Sequence, residues 1–505
     1  MFNRNALAAT TVVAATLMTA SSGLAAAASD PGQVRIASGT LQGVKDNDVI
    51  SFKGIPYAAP PVDALRWRPP QPVKSWSEAR PAKDYGAICE QTYNARDKGV
   101  GALPMSEDCL TLNVFAPAGA KKAPVMFWIH GGGLVNGSGT AALYDGSALA
   151  RQGVVVVTVN YRLGRFGFFA HPALTAEAQG APIGNYGLMD MVAALKWVQA
   201  NIAQFGGEPK EVTIFGESAG GIAVNALMVS EPAKGLFVRA ITESGVGREP
   251  TPTLTAAEEV GRQFADSARL SNATAADLRK LSPEQLLKFD PGRGILVSLI
   301  VDGQVLSASP LEGFAKGSEA KVPYVIGWNS LEIPVGPGGL DKALESNPII
   351  PPAAKRAQVA PAYSDPATYT AHVVSDMVMT EPALNLARLH ASHGQPTWVY
   401  EFSVVSSSMR DKLPGAPHAS ERQYVFITLK TSPWPTDAND LTQAKTMSAY
   451  WADFAKTGTP NGGTRVRWPA YNPSKNNLLD FTNEGPIVVK VPRAAAIEAI
   501  ANLYR

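Results

Sequence analysis

Two rhythms of hydrophobic residues alternate through the middle of this chain. Short, nearly continuous apolar runs end in glycines or small residues. Longer stretches repeat their apolar positions every three or four residues. The runs APVMFWIHGGG (123–133) and GVVVVTVNYRL (153–163) are rich in β-branched and aromatic residues, as strands covered on both faces are. In GLMDMVAALKWVQANIAQFGG (187–207), Leu188, Met191, Val192, Leu195, Val198, Ile202 and Phe205 keep a helical period, which Gly206 and Gly207 would stop. EVTIFG (211–216) then predicts a short strand and AGGIAVNALMVS (219–230) the next helix. VPYVIGW (322–328) and TWVYEFSV (397–404) predict further strands. The alternation predicts an α/β fold: a large, mostly parallel central sheet with helices on both faces. The Pro- and Gly-rich stretches at 54–72 and 333–339 read as surface loops rather than linkers, so residues 29–505 are expected to form a single domain.

The first thirty residues break this pattern. Arg4 precedes an apolar stretch from about Ala6 to Ala20, and A-x-A patterns follow at Ala25–Ala27 and Ala26–Ala28. That predicts a secretory signal peptide over 1–28, cut after Ala27 or Ala28. A membrane anchor is the alternative, but the run is short for a span of ~20 residues and is rich in Ala and Thr. No later segment is long and apolar enough to cross a bilayer. The expected product is exported to the periplasm or the extracellular space, with no stable membrane association.

Composition narrows the partners. The 505 residues are 45% hydrophobic and 17% charged, with a formal net charge of +2 and no basic run. Nucleic-acid binding rests on clustered Lys and Arg against phosphate, so no such partner is expected. Cys89 and Cys109 are the two cysteines. In an oxidising compartment they can form one disulfide, the alternative being two buried thiols. Two isolated cysteines lack the paired spacing of zinc ligands, so no metal is expected. Nothing in the chain sets the oligomeric state, and a monomer is the default.

The chemistry centres on FGESAGG, where Ser218 stands between a predicted strand and a predicted helix in G-x-S-x-G. A hydroxyl becomes a useful nucleophile when a sharp turn lifts it out of the packed surface, and small neighbours at Gly216, Ala219, Gly220 and Gly221 make room for that turn. The helix starting there aims its N–H groups and positive end at charge developing near Ser218. HGGG (130–133) follows another predicted strand. Its Gly132 and Gly133 N–H groups, with that of Ala219, are the expected oxyanion-hole donors. Leu134 and Val135, just beyond, suggest an apolar wall beside that hole.

A serine needs a base, and the chain order serine, acid, histidine leaves His372, His390, His393 and His418 as candidates. His390 and His393 close an amphipathic helical segment, where a helix cap or a solvated face is the expected role. They could ligate a metal at i, i+3, but no companion ligand is evident. His418 lies in the loop LPGAPHASERQYVF, and catalytic residues favour loops. It is the expected base. Residues and spacing do not choose an acid among the many carboxylates between Ser218 and His418.

The chain resembles the type-B carboxylesterases, the carboxylesterase/cholinesterase family of α/β-hydrolases, and reads as a secreted bacterial member. The resemblance runs from about residue 33 to the C-terminus. It is carried by FKGIPYAAPPVDALRWRPPQP (52–72), SEDCLTLNVFAP (106–117), WIHGGG (128–133), VNYRLGRFGF (159–168), the block at 184–221, GAPHASERQYVF (415–426) and YWADFAKTGTPN (450–461). It implies a serine esterase without a cofactor, acting on a small-molecule ester. It implies Glu332 as the acid, in a segment similar to G-x-N-x-x-E-G, from which the chain departs by having Ile333 where glycine is usual. It also implies a Cys89–Cys109 bridge, and a supporting role for Glu217 beside the nucleophile. Cholinesterases carry a tryptophan between these cysteines. Here that loop has Tyr93 and no tryptophan, which disfavours a choline ester and leaves short-acyl or aryl esters as expectations. Bulky feruloyl, toxin or phthalate-type esters, and amides or lactones, stay open. A non-catalytic binding protein of the same fold is the rival class.

Overall fold

A computed structural model describes residues 32–92, 103–288, 298–336, 339–345 and 350–504, besides Met1. The expected signal peptide beyond Met1, and Tyr93, lie outside the described residues.

Eleven strands among these residues build one large sheet. In chain order they are β1 (Val44–Asp46), β2 (Val49–Pro56), β3 (Thr111–Pro117), β4 (Ala123–Ile129), β5 (Val155–Val159), β6 (Gly207–Glu217), β7 (Arg239–Glu243), β8 (Tyr324–Asn329), β9 (Thr397–Phe402), β10 (Asn477–Thr482) and β11 (Gly485–Lys490). Their order across the sheet is β11-β10-β9-β8-β7-β6-β4-β5-β3-β2-β1. Every pairing from β5 through β10 is parallel, whereas β1, β2, β3 and β11 pair antiparallel. The sequence pattern exposes the parallel centre and misses the edges. A central strand is buried on both faces and reads as an unbroken apolar run. Edge strands such as VKD (β1), with all three residues exposed, carry no such run.

The pleat sorts side chains of one strand into two cores. Val125, Phe127 and Ile129 of β4 join the larger cluster, with the helices Tyr186–Asn201 and Ala219–Val229. Met126 and Trp128 point to the opposite face, among Met447, Tyr450, Trp451 and Phe454 of the helix Ala438–Thr457. Alternation along a strand causes this division. Helices therefore cover both faces, as expected for the α/β-hydrolase fold.

The helix expected over 187–207 spans Tyr186–Asn201, and Ile202 and Phe205 fall in a following 3-10 turn. Gly206 stops it at φ 81°. The helix is also buried on more than one face, because Asp190 is carried inside to accept from Arg162 Nε at 2.8 Å and from Arg162 Nη2 at 2.7 Å. A buried charge of this kind persists only when paired and hydrogen-bonded. No helix among the described residues is long and apolar enough to cross a membrane.

Cys89 and Cys109 are joined, with their Cα atoms 5.0 Å apart. Replacing both with serine is expected to lower stability by ~3 kcal/mol through the looser unfolded chain. A urea titration should show a lower midpoint and a steeper slope, because the looser unfolded chain exposes more surface; an unchanged midpoint would show that the bridge contributes nothing to stability.

Candidate active site

Ser218 sits at φ 55°, ψ −123°, between β6 and the helix Ala219–Val229. A non-glycine residue rarely adopts this conformation, and it is held here by its surroundings. The Ser218 N–H donates to Glu243 O at 2.9 Å, and Ile222 N–H donates to Ser218 O at 2.9 Å. The flanking glycine is sterically required: a Cβ on Gly220 would stand 2.0 Å from Ile129 O.

Three loops after parallel strands meet at this elbow. The loop after β8 brings Glu332, and the loop after β9 brings His418. A bridge between Leu331 and Pro417 ties the two together, as does His418 N–H donating to Glu332 O at 3.2 Å. His418 Nε2 lies 3.0 Å from Ser218 Oγ, and His418 Nδ1 lies 2.6 Å from Glu332 Oε2. The other Glu332 oxygen accepts from Asn329 N–H at 2.7 Å and from Ser244 Oγ at 2.6 Å. The structure thus brings Ser218, His418 and Glu332 into one line of contacts, with the acid buried and the imidazole partly exposed.

The glycine loop after β4 borders the same point, since a Cβ on Gly131 would meet Ser218 Cβ at 3.1 Å. Gly132 adopts φ 110°, where a Cβ would strike Asn136 O at 2.2 Å, and Gly133 adopts φ 64°. Inside the loop, Val135 N–H and Asn136 N–H both donate to Gly132 O. Among the described residues, the Gly132, Gly133 and Ala219 N–H groups have no hydrogen-bond acceptor. Leu134 is buried in the core at φ 62°, whereas Val135 is 40% exposed. The two residues expected as one apolar wall therefore face different surroundings, as neighbours on a tight turn do.

Glu217 Oε1 lies 3.2 Å from His418 Nε2, and its other oxygen lies 3.8 Å from Arg422 Nε. Burial by itself would lower the His418 pKa. The Glu217 and Glu332 carboxylates, with the hydrogen bond to Glu332, outweigh it and hold the pKa at about 9. A general base must be neutral, and each pH unit below its pKa removes a factor of ten of that form. The rate of ester hydrolysis under kcat/KM conditions is therefore expected to climb with pH and level off near 9. Glu217→Gln removes one of the charges that stabilise the imidazolium, so the acid limb should move to lower pH. A limb that stays in place would remove Glu217 from the account.

Sequence reasoning did not find two further buried carboxyls here. Glu421 accepts from Asn329 Nδ2 at 2.6 Å, and burial, with the Glu217 and Glu332 charges, pushes its pKa up to about 8. Glu243 accepts from Trp451 Nε1 at 2.7 Å and is raised by burial and by Glu421. Both carboxyls are thereby pushed toward their neutral forms, which eases the crowding of four acidic groups. Glu243 in the apolar run RAITESG was the one available sequence signal.

The remaining histidines have other work. His130 Nδ1 donates to Gly131 O at 2.8 Å and its ring stacks on Tyr161 at 4.4 Å, while burial lowers its pKa to about 4. His393 caps the helix Glu381–Ser392, as expected. His390 is not on a solvated face: it is fully buried, with Nδ1 3.1 Å from Glu319 Oε1 and Nε2 donating to Val322 O at 2.9 Å. The tertiary fold brings Glu319 over that helix, which no local pattern announces. Among the described residues, no group of three or more His, Cys, Asp or Glu side chains is arranged to hold a metal ion. A cavity of about 490 Å³ lies beyond the loop after β7, walled by Phe168, Phe169, Phe264, Ile300 and Pro250, with Arg165 at its side. None of the elbow residues lines it.

A sheet of this topology with a strained serine elbow after β6 defines an α/β-hydrolase. Comparison with known proteins narrows the class. The chain belongs to the carboxylesterase family, whose model matches residues 30–336 and 359–498, and it is a carboxylic ester hydrolase. It is 38% identical over 486 residues to fumonisin B1 esterase of Sphingopyxis macrogoltabida, covering 91% of this chain and 88% of that protein. It is 37% identical over 471 residues to para-nitrobenzyl esterase of Bacillus subtilis, covering 88% and 94%. A solved PNB esterase superposes with a TM-score of 0.82 at 32% identity, covering 93% of this chain and 99% of its own.

Proposed function

We propose that Ser218, His418 and Glu332 are the nucleophile, the base and the orienting acid of an esterase that works through an acyl-enzyme. The observation that carries this reading is the pair of contacts through one imidazole, 3.0 Å from Ser218 Oγ and 2.6 Å from Glu332 Oε2. Ser218 Oγ attacks the ester carbonyl while His418 Nε2 takes its proton. Glu332 holds the Nδ1–H tautomer and stabilises the imidazolium. The Gly132, Gly133 and Ala219 N–H groups receive the oxyanion. The alcohol leaves with the proton from His418, and water then cleaves the acyl-enzyme by the same roles. Glu217 supports the imidazolium rather than serving as the acid. Neither step calls for a metal or cofactor.

The substrate is a small-molecule ester with a short acyl or an aryl group, for which the exposed Val135 beside the glycine loop provides a candidate wall. The likeness to a fumonisin B1 esterase favours a bulky natural ester as the second reading. The chain acts as a single domain over 29–505, exported to the periplasm or the extracellular space after loss of residues 1–28, with a monomer as the default state.

A chain-length series of p-nitrophenyl esters, with a bulky polyester and an anilide as competitors, tests the assignment. Turnover of short esters above the others supports the first reading. Turnover of the bulky ester alone supports the second. Cleavage of the anilide alone would replace both with an amidase.

A further inference from the structure

We propose that Ser375 is a positioning residue for the acid of this site, holding the turn that carries Glu332. The inference rests on the Ser218–His418–Glu332 reading. Glu332 lies in the short turn after β8, and its neighbour Ile333 brings a β-branched side chain into that turn. Ile333 is not among the residues with positive φ, and its side chain packs against the core. The turn therefore gains no freedom from glycine and must be held from outside. Ser375 does this at both ends of one residue: Ile333 N–H donates to Ser375 Oγ at 2.9 Å, and Ser375 Oγ faces Ile333 O at 3.4 Å. Ser375 is 1% exposed.

The anchor itself is immobilised. Ser375 ends the helix Pro366–Ser375, and the chain continues as a π-helical turn, Asp376–Thr380. Wide turns of this kind are uncommon and cluster at functional sites. Asp376, the next residue, is clamped by Arg493 at 2.9 and 2.8 Å and by the Tyr363 hydroxyl at 2.9 Å. The helix thus holds the acid turn at the residue that follows Glu332. Serine at a helix end more often bonds within its own helix. This one is spent on the turn carrying the acid, and a shift of that turn would move the carboxylate off His418 Nδ1.

The test compares the wild type with S375A, S375T and S375V, with rates expressed per site titrated by a phosphonate, and with S218A, which has no such site, expressed per mole of folded protein. S375A is expected to lose roughly tenfold to a hundredfold in kcat with KM unchanged, the scale of small misplacements in an active site. Its acid limb should move to lower pH, because a loosened Glu332 no longer stabilises the imidazolium. Threonine, which keeps the hydroxyl, should restore kcat. Valine, nearly the same shape without it, should not. This pair decides the matter if the alanine variant fails to fold. Wild-type kcat in S375A or S375V, or equal impairment of S375T and S375V, would overturn the anchor while leaving the triad standing. An active S218A would remove both.

Discussion

Ser218→Ala should abolish ester hydrolysis, with kcat falling by about 10³- to 10⁶-fold, the range seen when a triad nucleophile is removed. The size follows from the geometry. The hydroxyl lies 3.0 Å from His418 Nε2, beside the glycine loop; Glu217 Oε1, 3.2 Å from the same nitrogen, belongs to a carboxylate, a far weaker nucleophile than an activated hydroxyl. Folding should survive, because the change removes a single oxygen from a partly exposed elbow whose strained backbone is held by Glu243 O and Ile222 N–H. The residual rate should come from the oxyanion donors alone, without a burst of p-nitrophenol and without phosphonate labelling. A variant that retains turnover and labelling would show that another residue carries the acyl group.

Glu332→Gln should cost roughly 10⁴-fold in kcat, as amide replacement of a triad acid does elsewhere. In the resting site one carboxylate oxygen accepts from Asn329 N–H and Ser244, and the other faces His418 Nδ1. Glutamine can keep its carbonyl on the first pair. Its NH₂ then faces Nδ1, where two donors would meet. The imidazole escapes by carrying its proton on Nε2, and Nε2 can then no longer take the Ser218 proton. A high pH that simply deprotonates His418 does not reverse a wrong tautomer, so the loss should persist on the alkaline plateau. Glu217→Gln, in contrast, should shift the acid limb and largely spare the plateau. If E332Q recovered at high pH, Glu332 would act only through its charge, and the orienting role would fall. Circular dichroism and thermal midpoints on the same preparations keep a folding defect apart from either result.

These two residues differ in how far the sequence exposes them. Ser218 announces itself, because the turn that lifts it demands small residues at fixed local positions, and β6 and the next helix are written in apolar period on either side. Glu332 has no such local signature. Any of many carboxylates could have served, and only a family resemblance singled it out. What decides the matter physically is the parallel register of β7, β8 and β9, which sets the loops carrying Ser244, Glu332 and His418 beside one another.

The parallel centre of the sheet, the serine elbow, the glycine loop and the choice of His418 are all legible in short-range patterns: apolar runs, glycine spacing, or a loop near the end of a strand. Only the tertiary structure decided the rest. It buried His390 against Glu319, turned Leu134 and Val135 apart, gathered the buried carboxyls of Glu243 and Glu421 near the site with their pKa values raised, and set Ser375 on the turn beside Glu332. Each of these depends on residues far apart in the chain meeting inside a low-dielectric core. There the ionisation of a carboxyl and the partner of a hydroxyl are set by neighbours in space, which local periodicity does not record.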